Sequence, residues 1–329
     1  MSHHIFQAVD KFLALSNAYG AKLVLGFSGG MDSTALLHAL IKWQKKYRFD
    51  LHLAHLDHGW RKNSAQEACA LKALAKQMGL PYHQKNLTGC PETNVEEFFR
   101  NKRYEFLRTV YDKIAAKALI LGHHGDDQAE TCLKRILEGA SLFSIGSMQK
   151  VVHNQGMEIW RPLIDISKRE IESYIKNEKL SYIDDHTNYD ETYLRARMRG
   201  TILPFLENSF GKNVSKPLCD LASLFQKLDD YFSDKLEPFL SLVETVDNRE
   251  TMDLKLLSFL KPFEIELFIQ KWFSSRRLYV SKVVLRDIIE SISKENLNKK
   301  FLTGSHKIVV HEKRISIEFN QEKNKEEDI

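Results

Sequence analysis

The stretch Leu23-Val24-Leu25-Gly26-Phe27-Ser28-Gly29-Gly30-Met31-Asp32-Ser33-Thr34-Ala35-Leu36-Leu37 constrains this chain more than any other. Its apolar start predicts a buried strand, Ser28-Gly29-Gly30 a tight turn, and Asp32-Ser33 the beginning of a helix. Glycines let the backbone approach a ligand in conformations that a Cβ forbids. The N–H groups of such a turn, and of the helix that follows, point at one spot. That spot suits an anionic phosphate, and the helix macrodipole favours it further. No Lys follows the glycines, so this is not the lysine-bearing loop of the common nucleoside triphosphatases. Asp32 stands nearby instead, and a carboxylate beside phosphates reads as a magnesium ligand. The plainer alternative is an ordinary strand-to-helix turn in which Asp32 and Ser33 act as caps.

The whole run from Ser28 to Ser33, placed directly after an apolar strand, resembles the pyrophosphate loop of the ATP pyrophosphatase superfamily. That resemblance implies ATP bound by Ser28, Gly29, Gly30, Met31, Asp32 and Ser33, transfer of AMP to an oxygen, and release of pyrophosphate. It does not choose the acceptor.

Along the chain, apolar spacing predicts helices at 5–15, 34–47, 64–78, 94–116 and 167–179, the last begun by a Ser167-Lys168-Arg169-Glu170 capping pattern. Strands are predicted at 23–27, 51–57, 82–87 and 118–122, and a loop at 151–156. Alternation of this kind implies an α/β fold, a doubly wound parallel sheet with helices on both faces. Ligands in such sheets sit at the carboxyl ends of the strands, beside the switch point. Three polar loops arrive there: Ser28-Gly29-Gly30, Asp57-His58-Gly59 and His123-His124. Asp57 and Arg61 are candidates to hold the nucleotide, or simple turn formers. In His123-His124-Gly125-Asp126-Asp127, with Glu130 beyond, the carboxylates and imidazoles can supply metal ligands, a general base, or both. Zinc suits them less, because no Cys or third His has matching spacing.

These runs, taken together and in order, resemble bacterial tRNA(Ile)-lysidine synthases. The likeness is carried by Leu121-Gly122-His123-His124-Gly125-Asp126-Asp127-Gln128-Ala129-Glu130-Thr131, by His55-Leu56-Asp57-His58-Gly59 with Arg61, and by Asn94-Val95-Glu96-Glu97 with Arg100, Arg103 and Tyr104. Arg161-Pro162-Leu163, Asp185-His186-Thr187-Asn188 and Tyr193-Leu194-Arg195-Ala196-Arg197-Met198-Arg199 complete it. Gly125 and Ala196 depart from the frequent Ala and Asn, and 138–142 lacks a second Gly often found there. The resemblance implies an adenine nucleotide α-hydrolase-like fold and Mg²⁺ near Asp32, Asp126 and Asp127. It implies free lysine and a CAU-anticodon isoleucine tRNA as substrates, the wobble cytidine being adenylylated before lysine attacks. His123, Asp126 and Asp127 are the candidates to take the lysine proton. Arg195, Arg197 and Arg199 are expected on RNA phosphates or ATP, or on a solvated helix face.

At 329 residues, two domains are expected. A catalytic domain is predicted over 1–212, and a smaller, mostly helical tRNA-binding domain with a terminal hairpin over 213–320. A charged tail follows over 321–329. Helices are predicted there at 218–232, 253–260, 262–273 and 282–292, and the hairpin near Lys307 to Phe319. Trp272-Phe273 beside Arg276-Arg277, and Lys299-Lys300-Phe301, mix aromatic and basic residues in a way that suits RNA or a core edge. Cys69, Cys90, Cys132 and Cys219 are scattered, which argues against a disulfide scaffold and against the paired cysteines of a tRNA thiolase, a rival on the same fold. A nucleotide-binding regulatory module is the other rival, and it leaves His123 to Glu130 without a purpose. The net charge of +4 permits a nucleic-acid partner without demanding one. No signal segment or ~20-residue apolar run is visible, so a cytoplasmic enzyme off the membrane is expected.

Overall fold

The computed structural model describes residues 2–59, 64–87, 89, 94–146, 148–183, 192–293, 298–303, 306–311 and 313–319. The chain divides into two compact units, Met1–Gln226 and Lys227–Ile329.

The first unit is built on a six-stranded sheet. Its elements begin with α1 (Ser2–Leu15), β1 (Lys22–Gly26), α2 (Met31–Tyr47), β2 (Asp50–Asp57), α3 (Ser64–Gln77), β3 (Tyr82–Asn86), α4 (Val95–Ile114) and β4 (Ala118–Ile120). They continue with α5 (Gly125–Leu137), α6 (Leu142–Ile145), β5 (Val151–Asn154), β6 (Met157–Trp160) and α7 (Lys168–Asn177). The strand order is β3-β2-β1-β4-β6-β5. All neighbours pair parallel except β5 and β6, which form an antiparallel edge.

Strand alternation sorts the core into two faces. Leu23 and Leu25 of β1 join Leu36, Leu37 and Leu40 of α2, with α1, α3 and α7 on the same side. Val24 faces the other way, toward Phe106, Leu107 and Val110 of α4. The chain runs from β1 outward through β2 to β3, then returns to place β4 on β1's other flank. The switch point therefore lies between β1 and β4, and the loops after these two strands meet there.

One sequence expectation fails in this unit. The polar stretch 151–156 is not a loop but β5 and its turn into β6. Met157, Ile159 and Trp160 of β6 are wholly buried, and Phe12 packs edge-on against Trp160 at 5.6 Å. Four residues are too few to show a period in sequence, whereas burial against β4 is decisive in space.

After α8 (Leu194–Arg197) a π-helical turn, Met198–Ile202, leads into α9 (Leu203–Phe210) and the long α10 (Ser215–Leu240). The division between units falls inside α10, while the sequence-based boundary at 212/213 lies ahead of it. The second unit adds β7 (Glu244–Val246), β8 (Arg249–Asp253), a 3₁₀ turn at Leu254–Phe259, α11 (Pro262–Ser275), α12 (Lys282–Ser293), β9 (Lys299–Thr303), β10 (His306–His311) and β11 (Arg314–Phe319). The predicted hairpin is β10 with β11, but it belongs to a five-stranded antiparallel sheet in the order β7-β8-β11-β10-β9. The helix predicted at 253–260 is the end of β8 and the 3₁₀ turn. Trp272 and Phe273 are buried, and the Trp272 indole donates to the Glu250 carboxylate at 2.6 Å, so this pair is core.

Candidate active site

β1 ends against β2, where the Phe27 N–H donates to the Ala54 carbonyl at 2.9 Å, and the Ser-Gly-Gly turn follows. Gly29 has φ +79°, and a Cβ there would stand 2.7 Å from Leu71 Cδ2. Only glycine fits that position at low cost. Ser33 ties the turn together: its Oγ donates to the Gly30 carbonyl at 3.0 Å and lies 3.1 Å from Ser28 Oγ. Thr34 Oγ1 donates to the Gly29 carbonyl at 3.2 Å. Gly30 is the N-cap of α2 and no side chain caps the helix. Asp32 thus does not act as a cap. Its carboxylate instead accepts from Lys168 Nζ at 2.8 Å. The first N–H groups of α2 carry the positive end of the helix.

The loop after β4 lies directly against this one. A Cβ on Gly122 would stand 3.3 Å from the backbone of Asp32 and Ser33, so a residue without one lets the two loops touch. His124 caps α5 and is almost fully buried. Three carboxylates surround its ring. Nε2 lies 3.8 Å from Asp32 and 3.6 Å from Asp127, and Nδ1 lies 3.8 Å from Asp126. Asp127 also accepts the His124 backbone N–H at 3.0 Å. Burial works to raise the Asp127 carboxyl, but His124 and Arg199 outweigh it and hold it below its ordinary value. The second half of the cluster comes from the π-helical turn. Arg199 NH2 meets Asp127 at 2.5 Å, and its Nε bonds the buried Glu130 carboxylate. Burial raises the Glu130 pKa, with Arg199 acting against the rise.

α7 closes the arrangement. A capping box of Ser167 and Glu170 fixes its first turn, with the Ser167 N–H donating to Glu170 at 2.8 Å. The Lys168 N–H then donates to Asp126 at 2.7 Å while its ammonium reaches Asp32. Beside the cluster, the buried Arg161 donates from Nε to His123 Nδ1 at 3.2 Å and from NH1 to the Gln149 carbonyl at 2.9 Å.

A glycine turn into a helix start, flanked by converging carboxylates at a switch point, is a nucleotide site in outline. A PP-loop domain model matches residues 1–206. The chain is 32% identical over 312 residues to the tRNA(Ile)-lysidine synthase of Protochlamydia amoebophila, covering 93% of this chain and 67% of that protein. Against the tRNA(Ile)-lysidine synthase of Chlamydia pneumoniae it is 33% identical over 277 residues, 84% of this chain and 86% of the relative. It belongs to the tRNA(Ile)-lysidine synthase family. The family is one of ATP-using ligases that form a carbon–nitrogen bond, carried on a PP-loop domain. Among solved structures, the U34-tRNA thiolase NcsA of Methanococcus maripaludis, with its 4Fe–4S cluster, shares the fold. Its TM-score is 0.58 at 21% identity, over 69% of this chain and 78% of that one.

Within this lysidine synthase framework the sequence-predicted residues fall into groups. Ser28, Gly29, Gly30, Met31, Asp32 and Ser33 form the turn and helix start, and Asp126 and Asp127 converge on it through His124. Asp57 is buried at the end of β2, and its Oδ1 accepts the Gly59 N–H at 2.8 Å, so it shapes its own turn. Arg61 and Asp185-His186-Thr187-Asn188 lie outside the described residues. Of the three arginines, Arg199 is engaged by the acidic cluster, and Arg197 NH1 donates to the Thr192 carbonyl at 3.4 Å. Sequence reasoning weighed His124 and Glu130 within that run but carried only His123, Asp126 and Asp127 into the candidate set, and it gave Lys168 and Arg161 no site role. His124 had a signal, since an N-cap position just before an acidic first turn places its ring among those carboxylates. Lys168 had none beyond the capping pattern, because its partner is 136 residues away.

Proposed function

We propose that this chain ligates free lysine to C2 of the wobble cytidine of a CAU-anticodon isoleucine tRNA. The observation that carries the reading is the pair of loops at the switch point. One presents uncapped N–H groups; the other brings Asp126 and Asp127 against Asp32 around one buried imidazole. Membership of the lysidine synthase family supports the choice of acceptor. ATP lies across Ser28 to Ser33, with its phosphates on the start of α2. The cytidine O2 attacks the α-phosphorus, the bond to pyrophosphate breaks, and AMP is left on O2. The ε-amine of lysine then attacks C2, the C2–O bond breaks, AMP departs, and the amine gives up a proton. O2 is a poor leaving group until it carries AMP, which is why ATP is spent. Loop N–H groups aimed at the phosphates stabilise the charge that develops there. The amine must be neutral to attack, and His123, Asp126 and Asp127 are the candidates to receive its proton.

Mg²⁺ fits the donor set. It is usually held by one or two carboxylates, with phosphate oxygens and water completing the shell. Asp32 and Asp127 supply two carboxylates beside one another, while among the described residues no cluster of three or more ligating side chains forms a protein-only cage. When bound, the ion would neutralise phosphate charge. Among the described residues no helix is long and apolar enough to cross a membrane, and a cytoplasmic site of action is part of this reading.

The test supplies ATP, Mg²⁺ and radiolabelled lysine with two transcripts, one carrying C and one U at the wobble position. Label is expected in the first alone. Attack at C2 of cytosine gives a cationic ring whose 4-amino group shares the charge, and uracil lacks that group. Equal labelling overturns the base specificity. ATP consumption with neither transcript labelled points to another acceptor.

A further inference from the structure

Arg161 follows β6 and is 7% exposed. Its NH1 is held by the Gln149 carbonyl, Tyr104 and Arg100 stand beside it, and its Nε points at His123 Nδ1. A guanidinium has N–H donors and no acceptor, so the Nδ1 that receives it must be a bare lone pair. In a neutral imidazole the proton then resides on the other nitrogen. Among the described residues no group is hydrogen-bonded to that Nε2. We infer that Arg161 is a positioning residue that fixes His123 as the neutral Nε2–H tautomer, so that His123 serves the reaction as a hydrogen-bond donor and not as the base that takes the lysine proton.

The inference rests on the ligase reading above and divides the labour among its three candidates. To act as a base, His123 would accept a proton on Nδ1 or Nε2. Nδ1 is occupied by the Arg161 N–H. A proton added at Nε2, already protonated, is impossible while Nδ1 stays bare. Protonation therefore means displacing Arg161 and setting two cations face to face. Arg195 and Arg103 add positive charge near the ring, and Asp127 opposes them. Burial together with these arginines pushes His123 down to about 4. A neutral N–H held in place suits an oxygen that gains negative charge when pyrophosphate leaves, since it needs no reorganisation at that moment. The proton of the amine is left to the carboxylates.

The test compares His123→Gln with His123→Ala in the full chain, measuring tRNA-dependent pyrophosphate release and lysine incorporation. The Gln amide keeps an N–H donor near the place of Nε2 but cannot serve as a base at any working pH. His123→Gln is expected within about tenfold of the native chain, and His123→Ala about 10²- to 10³-fold down. Equal loss in both, with the native chain active, overturns the inference. A native chain that releases no pyrophosphate with tRNA fails the ligase reading instead. Independent of turnover, ¹⁵N-histidine NMR reads the tautomer, with His123 assigned by its absence from His123→Gln. The Nε2–H form is expected from about pH 5.5 to 8. In Arg161→Met the ring should mix tautomers and titrate higher than in the native chain, while burial, Arg195 and Arg103 still hold it below the ordinary value. The Nδ1–H form, or a protonated ring in the native chain near neutrality, overturns the inference even if Arg161→Met does not fold.

Discussion

Asp32 is the residue on which the two readings of the turn part. It is about one-third exposed and paired with Lys168, which is exposed to a similar degree. Removing such a pair costs little, within about 1 kcal/mol. Asp32→Ala is therefore expected to keep its melting behaviour while pyrophosphate release falls about 100-fold or more. Normal turnover by the folded variant would reduce Asp32 to a partner for Lys168. Arg199 is the opposite case, since the Glu130 carboxylate it bonds is buried. Arg199→Ala strands that charge, and a loss of about 3–5 kcal/mol is expected at neutral pH. The sign with pH follows from the raised Glu130 pKa. Stability from such a group is complete below its unfolded value and is lost as pH rises through the folded value. Without Arg199 the rise is larger, so the deficit should be smallest in acid and widen toward neutrality. Denaturant midpoints at two pH values measure this; an unchanged deficit would rule it out.

At the scale of elements, the start of α7 does more than cover the sheet. Its capping box aims the Lys168 N–H at Asp126 and the Lys168 ammonium at Asp32, and His4 of α1 reaches the same Glu170 at 2.5 Å. Ser167→Ala removes a hydroxyl that donates to Glu170 at 2.6 Å and is expected to cost about 0.5–2 kcal/mol. Because the helix start would shift against two site carboxylates, KM for ATP should rise while kcat for lysine transfer changes less. An unaltered KM in a measurably destabilised variant would show that the cap serves stability alone. The π-helical turn at Met198–Ile202 is the matching device on the other side. It carries Arg199, and a wider turn of this kind breaks the regular spacing that would otherwise set it in line with Arg195.

For the whole molecule, the unit boundary inside α10 changes where the chain can be cut. Cys219 Sγ donates to the Gly125 carbonyl at 3.0 Å, and Gln226 Nε2 donates to the Gly146 carbonyl at 2.6 Å. The first part of α10 thus belongs to the first unit, and a chain ending near Asn213 would strip it away. A chain ending at Gln226 is expected to bind ATP and to lose tRNA affinity by about tenfold or more. Isothermal titration of nucleotide and filter binding of tRNA separate the two. Full tRNA affinity in the shortened chain would place RNA recognition in the first unit.

What the sequence determined by itself is local. The apolar run and Ser-Gly-Gly turn, the strands at β1, β2 and β4, and the Ser167 cap each depend on neighbours within one or two helical turns, where spacing and propensity act directly. The family resemblance was legible for the same reason, being carried by short contiguous runs. The tertiary structure alone decided which groups meet. Lys168 and Asp32 are 136 residues apart, and Arg199 and Asp127 are 72 apart, so no period in the chain announces either pair. Only β6 docking on β4 made a strand of Met157 to Trp160, and only the packing of Arg161 chose the proton position on His123. A buried charge takes whatever partner the fold brings within hydrogen-bonding reach, because leaving it unpaired costs more than any local preference can return.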